Sequence, residues 1–197
     1  MQMQVIRTDA AYVSSLNVGD TFPVTYTIDS TNRTTASVMV VRRGLANIYD
    51  CLFVDCLPFT CPMFEKYDPN IPPIFSYSDV YKLLQKMNIE PNKTFIVLPD
   101  ASGSRFTLPS VELITREKER AYFEYARNNN ESYSPLMDDR RNRIAFLGDK
   151  TNVWCSYWCS NAKDSTNFTG IRGDGGLTYF DCQEPNGLRP MFKIQLL

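Results

Sequence analysis

The chain has 197 residues, 43% of them hydrophobic and 22% charged, and its 21 basic and 22 acidic residues leave a net charge of −1. That length supports one well-buried core without requiring a second domain, and the even balance lacks the basic excess or stripe of a nucleic-acid binder. There is no histidine, so a Ser-His-Asp or Cys-His catalytic arrangement is excluded within the chain, and the commonest general base and neutral metal ligand are missing.

From the N-terminus, residues 1–20 carry Gln2, Gln4, Arg7, Asp9 and Asn17 with no continuous apolar stretch. This predicts no signal peptide and a protein made in a cytoplasm. No apolar run anywhere reaches bilayer-spanning length, so no membrane partner is expected. Val18-Gly19-Asp20 reads as a turn into a strand over Phe22–Ile28, rich in β-branched and aromatic residues. Asp29–Asn32 is the next turn, Ala36–Val41 a second strand and Ile48–Leu57 a buried third.

Pro58–Pro73 holds five prolines, with Phe59, Phe64 and Tyr67 as apolar surface, and is read as an ordered irregular loop. Tyr77–Asn88 is predicted as a short helix capped by Ser76 or Ser78, with Val80, Leu83, Leu84 and Met87 on one face and Pro91 ending it. Thr94–Leu98 reads as a strand and Asp100–Gly103 as a turn. A second helical stretch opens at Pro109-Ser110 and runs toward Arg127, with a mixed-charge solvated face. Asn128–Ser132 is a polar loop, and Arg140-Arg141-Asn142-Arg143 after Asp138-Asp139 is a solvated turn with local charge pairing, not a phosphate site. Ile144–Leu147 is a short strand. Only strands and loops follow it, ending in a terminal strand over Met191–Leu196. The element order gives an α+β domain spanning 1–197, mostly antiparallel, with two helices and with both ends of the chain paired in one sheet.

Six cysteines are present: Cys51, Cys56, Cys61, Cys155, Cys159 and Cys182. Without a secretion signal they are expected as free thiols, several of them buried. Their spacings do not match short metal knuckles, so no metal and no cofactor are expected. Arg172-Gly173-Asp174 spells an integrin-binding tripeptide but is read as a glycine turn, and the Asn-x-Ser/Thr patterns at Asn32, Asn92, Asn130 and Asn167 are expected to be unused.

The last fifth of the chain gathers both tryptophans and three cysteines. It runs through Trp154-Cys155-Ser156-Tyr157-Trp158-Cys159-Ser160, Asn167-Phe168, Gly173-Asp174-Gly175-Gly176 and Gly187-Leu188-Arg189-Pro190-Met191-Phe192. This succession resembles an uncharacterised domain family of gut bacteria and their phages. Its members carry a Trp-Trp-Leu-Arg-Ser-type block, a Ser-Asp-Gly-type turn and a terminal Gly-Val-Arg-Pro-Ala-type strand. Val18-Gly19-Asp20, the Tyr77–Asn88 helix and Phe106–Ser110 resemble upstream parts of the same pattern. The chain departs from it at Tyr157, Cys159 and Ser160, which stand where Trp, Leu and Arg are usual.

The resemblance implies a C-type-lectin-like fold, akin to the sulfatase-modifying-factor fold; it does not imply an enzyme, and none is expected. Trp154, Tyr157, Trp158, Gly173, Asp174, Gly175, Gly187, Arg189, Pro190 and Phe192 are its expected structural signature. In physical terms the tryptophans would be core, the glycines would permit a positive-φ turn, and the Arg189 fork would tie strand ends. The partner-binding loop is placed at 161–176, with Asn161, Lys163, Asp164, Asn167, Phe168 and Arg172 as contacts; Pro58–Pro73 and Asn128–Asp139 are further exposed candidates. The expected role is a non-enzymatic structural and binding module. Specifically, it is a phage virion component (capsid decoration, head-fibre or tail-associated protein), made in the host cytoplasm and assembled with itself or other virion proteins. One alternative is an adhesin for a host glycan or receptor. Another is a cysteine-dependent oxidase of the formylglycine-generating type, using Cys155 and Cys159.

Overall fold

The computed structural model describes residues 15–29, 32–66, 68–91, 93–114, 134–148, 150–164 and 166–197. It is α+β and mostly antiparallel, with two helices among the described residues. The chain separates into two compact units that interleave in sequence. The first takes residues up to Val54, Leu83–Thr107 and Pro190–Leu197; the second takes Asp55–Lys82 and Leu108–Arg189.

The first unit is built on a six-stranded sheet. Its strands are β1 (Thr21–Ile28), β2 (Asn32–Arg43), β3 (Ile48–Phe53), β5 (Met87–Ile89), β6 (Phe95–Leu98) and β13 (Met191–Leu196), in the order β5-β1-β2-β3-β13-β6. Both ends of the described chain thus contribute to one sheet, as expected. β1 and β2 pair antiparallel from Thr21↔Met39 to Ile28↔Asn32 around Asp29, whose φ of 66° makes the tight reversal. One face carries Phe22, Tyr26, Phe53, Phe95, Phe106 and Phe192, which meet edge-on or tilted in pairs with ring centroids 5.4–6.0 Å apart. The Gly-x-Arg-Pro-x-Phe run divides here. Pro190 is buried and its carbonyl accepts from the Phe53 N–H, while Phe192 joins the aromatic core.

The second unit holds a five-stranded sheet and a hairpin. The sheet contains β4 (Thr60–Cys61), β9 (Tyr157–Ala162), β10 (Asn167–Ile171), β11 (Leu177–Asp181) and β12 (Asn186–Gly187), in the order β11-β10-β9-β12-β4. β7 (Phe146–Leu147) and β8 (Lys150–Trp154) form the hairpin. The proline-rich loop is ordered, with Met63 and Phe64 buried, though its Tyr67 lies outside the described residues.

The first helix is shorter than the periodicity predicts. α1 spans Asp79–Gln85, begun by Ser78, whose Oγ accepts from the Tyr81 N–H at 3.0 Å. Val80 and Leu84 are buried as expected, but Met87 leaves the helix for β5, where Met87 and Ile89 point inward and Asn88 outward. α2 is Val111–Ile114, entirely buried; the expected continuation toward Arg127 and the loop at 128–132 lie outside the described residues. No helix among the described residues is long and apolar enough to cross a membrane.

Candidate functional site

The signature residues of the second unit separate into a buried knot and an exposed face. β9 supplies the knot. Tyr157, Trp158 and Cys159 are buried in succession, because both faces of this strand are covered. Trp158 is fully buried, its Nε1 donates to the Cys61 carbonyl at 3.0 Å, and Phe168 and Phe180 meet its ring edge-on.

Arg189 is almost fully buried. Its Nη1 donates to the Asn142 carbonyl at 3.0 Å and the Tyr157 hydroxyl at 3.0 Å, and its guanidinium lies 5.3 Å from the Tyr157 ring centre. The Tyr157 hydroxyl in turn donates to the Arg143 carbonyl at 2.7 Å. The arginine therefore anchors the 140–143 turn, where a tie between strand ends had been expected. Its planar fork suits a site that offers several acceptors at fixed angles.

Beside this knot lie two thiols. Cys56 and Cys155 are both buried with their sulfurs converging on Gly187, and Cys155 Sγ donates to the Ser156 carbonyl at 3.3 Å. Gly187 makes room for them, since a Cβ there would overlap Cys155 Sγ and sit 2.9 Å from Cys56 Sγ. The neighbouring Cys56 draws the Cys155 thiol below its ordinary value, against the effect of burial. Burial pushes Cys56 well up. Cys159, the expected oxidase partner of Cys155, is fully buried, and burial with Glu112 nearby pushes its thiol up. All six cysteines are unbridged, and among the described residues no three His, Cys, Asp or Glu side chains gather as a metal site.

The exposed face corrects the reading of Trp154. This residue was expected in the core, yet it is 63% exposed, next to the exposed Val153 on β8. Val153 and Trp154 are consecutive, so they point to opposite faces of the strand, and both are exposed; this end of the hairpin is open on both faces. The glycine turn leans on it: a Cβ on Gly173 would lie 3.2 Å from the Trp154 Cβ. Of the turn glycines, Gly175 has a positive φ, 78°, and a Cβ there would lie 2.7 Å from the Arg140 carbonyl. The Arg172 and Gly176 backbones close the turn at 2.8 Å, and Asp174 Oδ1 accepts from the Gly176 N–H at 2.9 Å. That bond, with Arg172 and Arg140 nearby, holds the Asp174 carboxyl below its usual range. Arg172 and Asp174 face each other at 3.4 Å, so the tripeptide is a self-paired turn. Arg141 fixes the half-buried Asp139 carboxylate, whose pKa falls to about 2.

The expected binding loop is only partly a surface. Lys163 and Asp164 are exposed. Lys163 sits 4.5 Å above the Tyr179 ring, and Asp164 Oδ1 gathers the Thr166 and Asn167 N–H groups into a tight turn that includes the Asn167 amide. Two of its residues point inward and are corrected here. Phe168 is fully buried on β10 against Phe64 and Trp158, because the strand begins at Asn167. Asn161 is half-buried on β9, its Oδ1 accepting from the Val111 N–H at 2.8 Å. The surface cluster is instead Trp154, Arg140, Arg172 and Asp174: a flat indole among charges of both signs. Burial alone marks it out, and a sequence reading that assigns large aromatics to the core passes over it.

Comparison with protein-family models, with curated proteins and with solved structures found no match to this chain.

Proposed function

We propose that this protein is a non-enzymatic structural and binding module that docks through Trp154 and the adjoining 172–176 turn. The observation that carries this reading is the exposure of Trp154, 63%, on a hairpin strand beside a turn closed by its own backbone hydrogen bonds. A folded chain that holds a tryptophan in water forgoes a large burial gain, and such residues are typical anchors of protein interfaces. Arg140, Arg172 and Asp174 supply a polar rim for the anchor.

The sequence resemblance supplies the setting: a phage particle, in which the partner is another virion protein or a second copy of this chain. The lectin-like form of the fold belongs to the same proposal. It is supported by the antiparallel sheets, the buried Trp158 and a sheet shared by both ends of the described chain.

The test is assembly. Particles from the source should contain the chain in fixed stoichiometry, and Trp154→Ala should stay folded yet lose incorporation. A Trp154→Ala protein that incorporates normally overturns the docking surface. Absence of the chain from purified particles overturns the virion setting, and glycan-array binding lost with Trp154 transfers the surface to the adhesin reading.

A further inference from the structure

We propose that Cys56 and Cys155 form an oxidisable dithiol, a modification site that closes to an intramolecular disulfide on exposure to a peroxide. Nearly a hundred residues separate them in sequence, yet both backbones are pinned to one short segment. The Cys56 N–H donates to the Phe146 carbonyl and the Cys155 N–H to the Ala145 carbonyl, each at 2.9 Å. The two sulfurs converge over Gly187, where a side chain of any size would displace one of them. Gly187 is itself held by a 2.7 Å bond from its N–H to the Ser156 carbonyl, so the space above its Cα is kept for sulfur. Convergent side chains on fixed backbones are what a disulfide's narrow geometry requires.

The environment assigns the roles. Cys155 attacks: its Sγ–H is held 3.3 Å from the Ser156 carbonyl, and its neighbour Cys56 draws its thiol below the ordinary value; burial pushes Cys56 up, so Cys56 keeps its proton and resolves. In the first step the Cys155 thiolate attacks one peroxide oxygen. The O–O bond breaks, and the departing hydroxide takes up the proton Cys155 had released, leaving a sulfenic acid and one water. In the second step the Cys56 sulfur attacks Cys155 Sγ. The S–O bond breaks, and hydroxide leaves with the Cys56 proton as a second water. Two electrons pass from the sulfurs to the peroxide, and one S–S bond forms. A small oxidant suits the site, because Cys155 is only 5% exposed.

The experiment treats the folded full-length chain with hydrogen peroxide, blocks remaining thiols under denaturing conditions, and maps cysteine peptides by mass spectrometry without reduction. The expected result is a cross-linked Cys56–Cys155 peptide pair, short of two hydrogens and restored by a thiol reductant, with Cys51 and Cys159 recovered as blocked thiols. Cys56→Ser should abolish the cross-link and leave a Cys155 sulfenic acid that dimedone traps. Recovery of Cys56 and Cys155 as blocked thiols, or a bridge to any other cysteine, overturns the proposal. The wild-type map decides the matter even if Cys56→Ser does not fold.

Discussion

Arg189 donates to the Tyr157 hydroxyl across 3.0 Å in a site closed to solvent. The same hydroxyl donates its own hydrogen bond to the Arg143 carbonyl at 2.7 Å. One phenol thus joins a buried cation to the backbone of the 140–143 turn. Tyr157→Phe removes both links and should cost about 1–3 kcal/mol. Arg189→Lys keeps the charge but loses the fork, and should cost at least as much. Urea denaturation of both variants checks this; a wild-type midpoint in either would show that the knot is not structural.

Alkali should unfold the protein early. Burial pushes the Tyr157 hydroxyl from 10.0 up to about 12, with Arg189 pulling the other way. Burial, with Glu65 and Asp79, pushes the Cys61 thiol from 9.0 up to about 11. Both groups hold their protons more tightly folded than unfolded. Their contribution is complete below the unfolded values and is lost as pH rises through the folded ones. The denaturation midpoint should therefore fall steadily from pH 9 to pH 12, and Tyr157→Phe should flatten the upper part of that fall. A midpoint constant across this window would contradict the burial assigned to both groups.

The two tryptophans should behave as opposites. Trp158→Ala leaves a large cavity and strands the Cys61 carbonyl, at a cost of about 3–5 kcal/mol. Trp154→Ala should stay within about 0.5 kcal/mol of wild type. Fluorescence separates them without unfolding: the Trp154→Phe protein should emit at short wavelength and resist acrylamide, because Trp158 alone remains. Efficient quenching of that variant would reverse the assignment.

Glycines test close packing. A Cβ on Gly170 would lie 2.6 Å from the Phe180 ring and 2.7 Å from the Tyr157 carbonyl, which the sheet holds in place. Gly170→Ala should cost roughly 3 kcal/mol. Gly103 has a φ of 85° and open space around it, so Gly103→Ala meets only backbone strain, about 1 kcal/mol. Thermal unfolding of the pair should preserve that order.

Strand positions were legible because alternation and β-branching act locally; the terminal strand over Met191–Leu196 lies where its pattern puts it. Met87 was read onto a helix because it stands at helical spacing from Val80 and Leu84. Its pairing with Ile28, far away in sequence, decides otherwise. Phe168 was placed in the binding loop and Trp154 in the core; what covers each strand separates them, since β10 is buried from Phe168 to Ile171 while Val153 and Trp154 are both exposed. Cys56 and Cys155 carry no spacing signal at all. What brings them together is a shared third segment, which no pairwise motif encodes.

β13 lies between β3 and β6, and residues 99–190 separate it from β6 in the chain. During synthesis, at ~5–20 residues per second, those two strands wait several seconds with open hydrogen-bonding edges. The chain of the second unit is synthesised before the first unit has the strand that joins β3 to β6. Until β13 emerges, the gap between β3 and β6 can accept another extended segment, so the yield of folded protein should depend on how quickly that strand arrives.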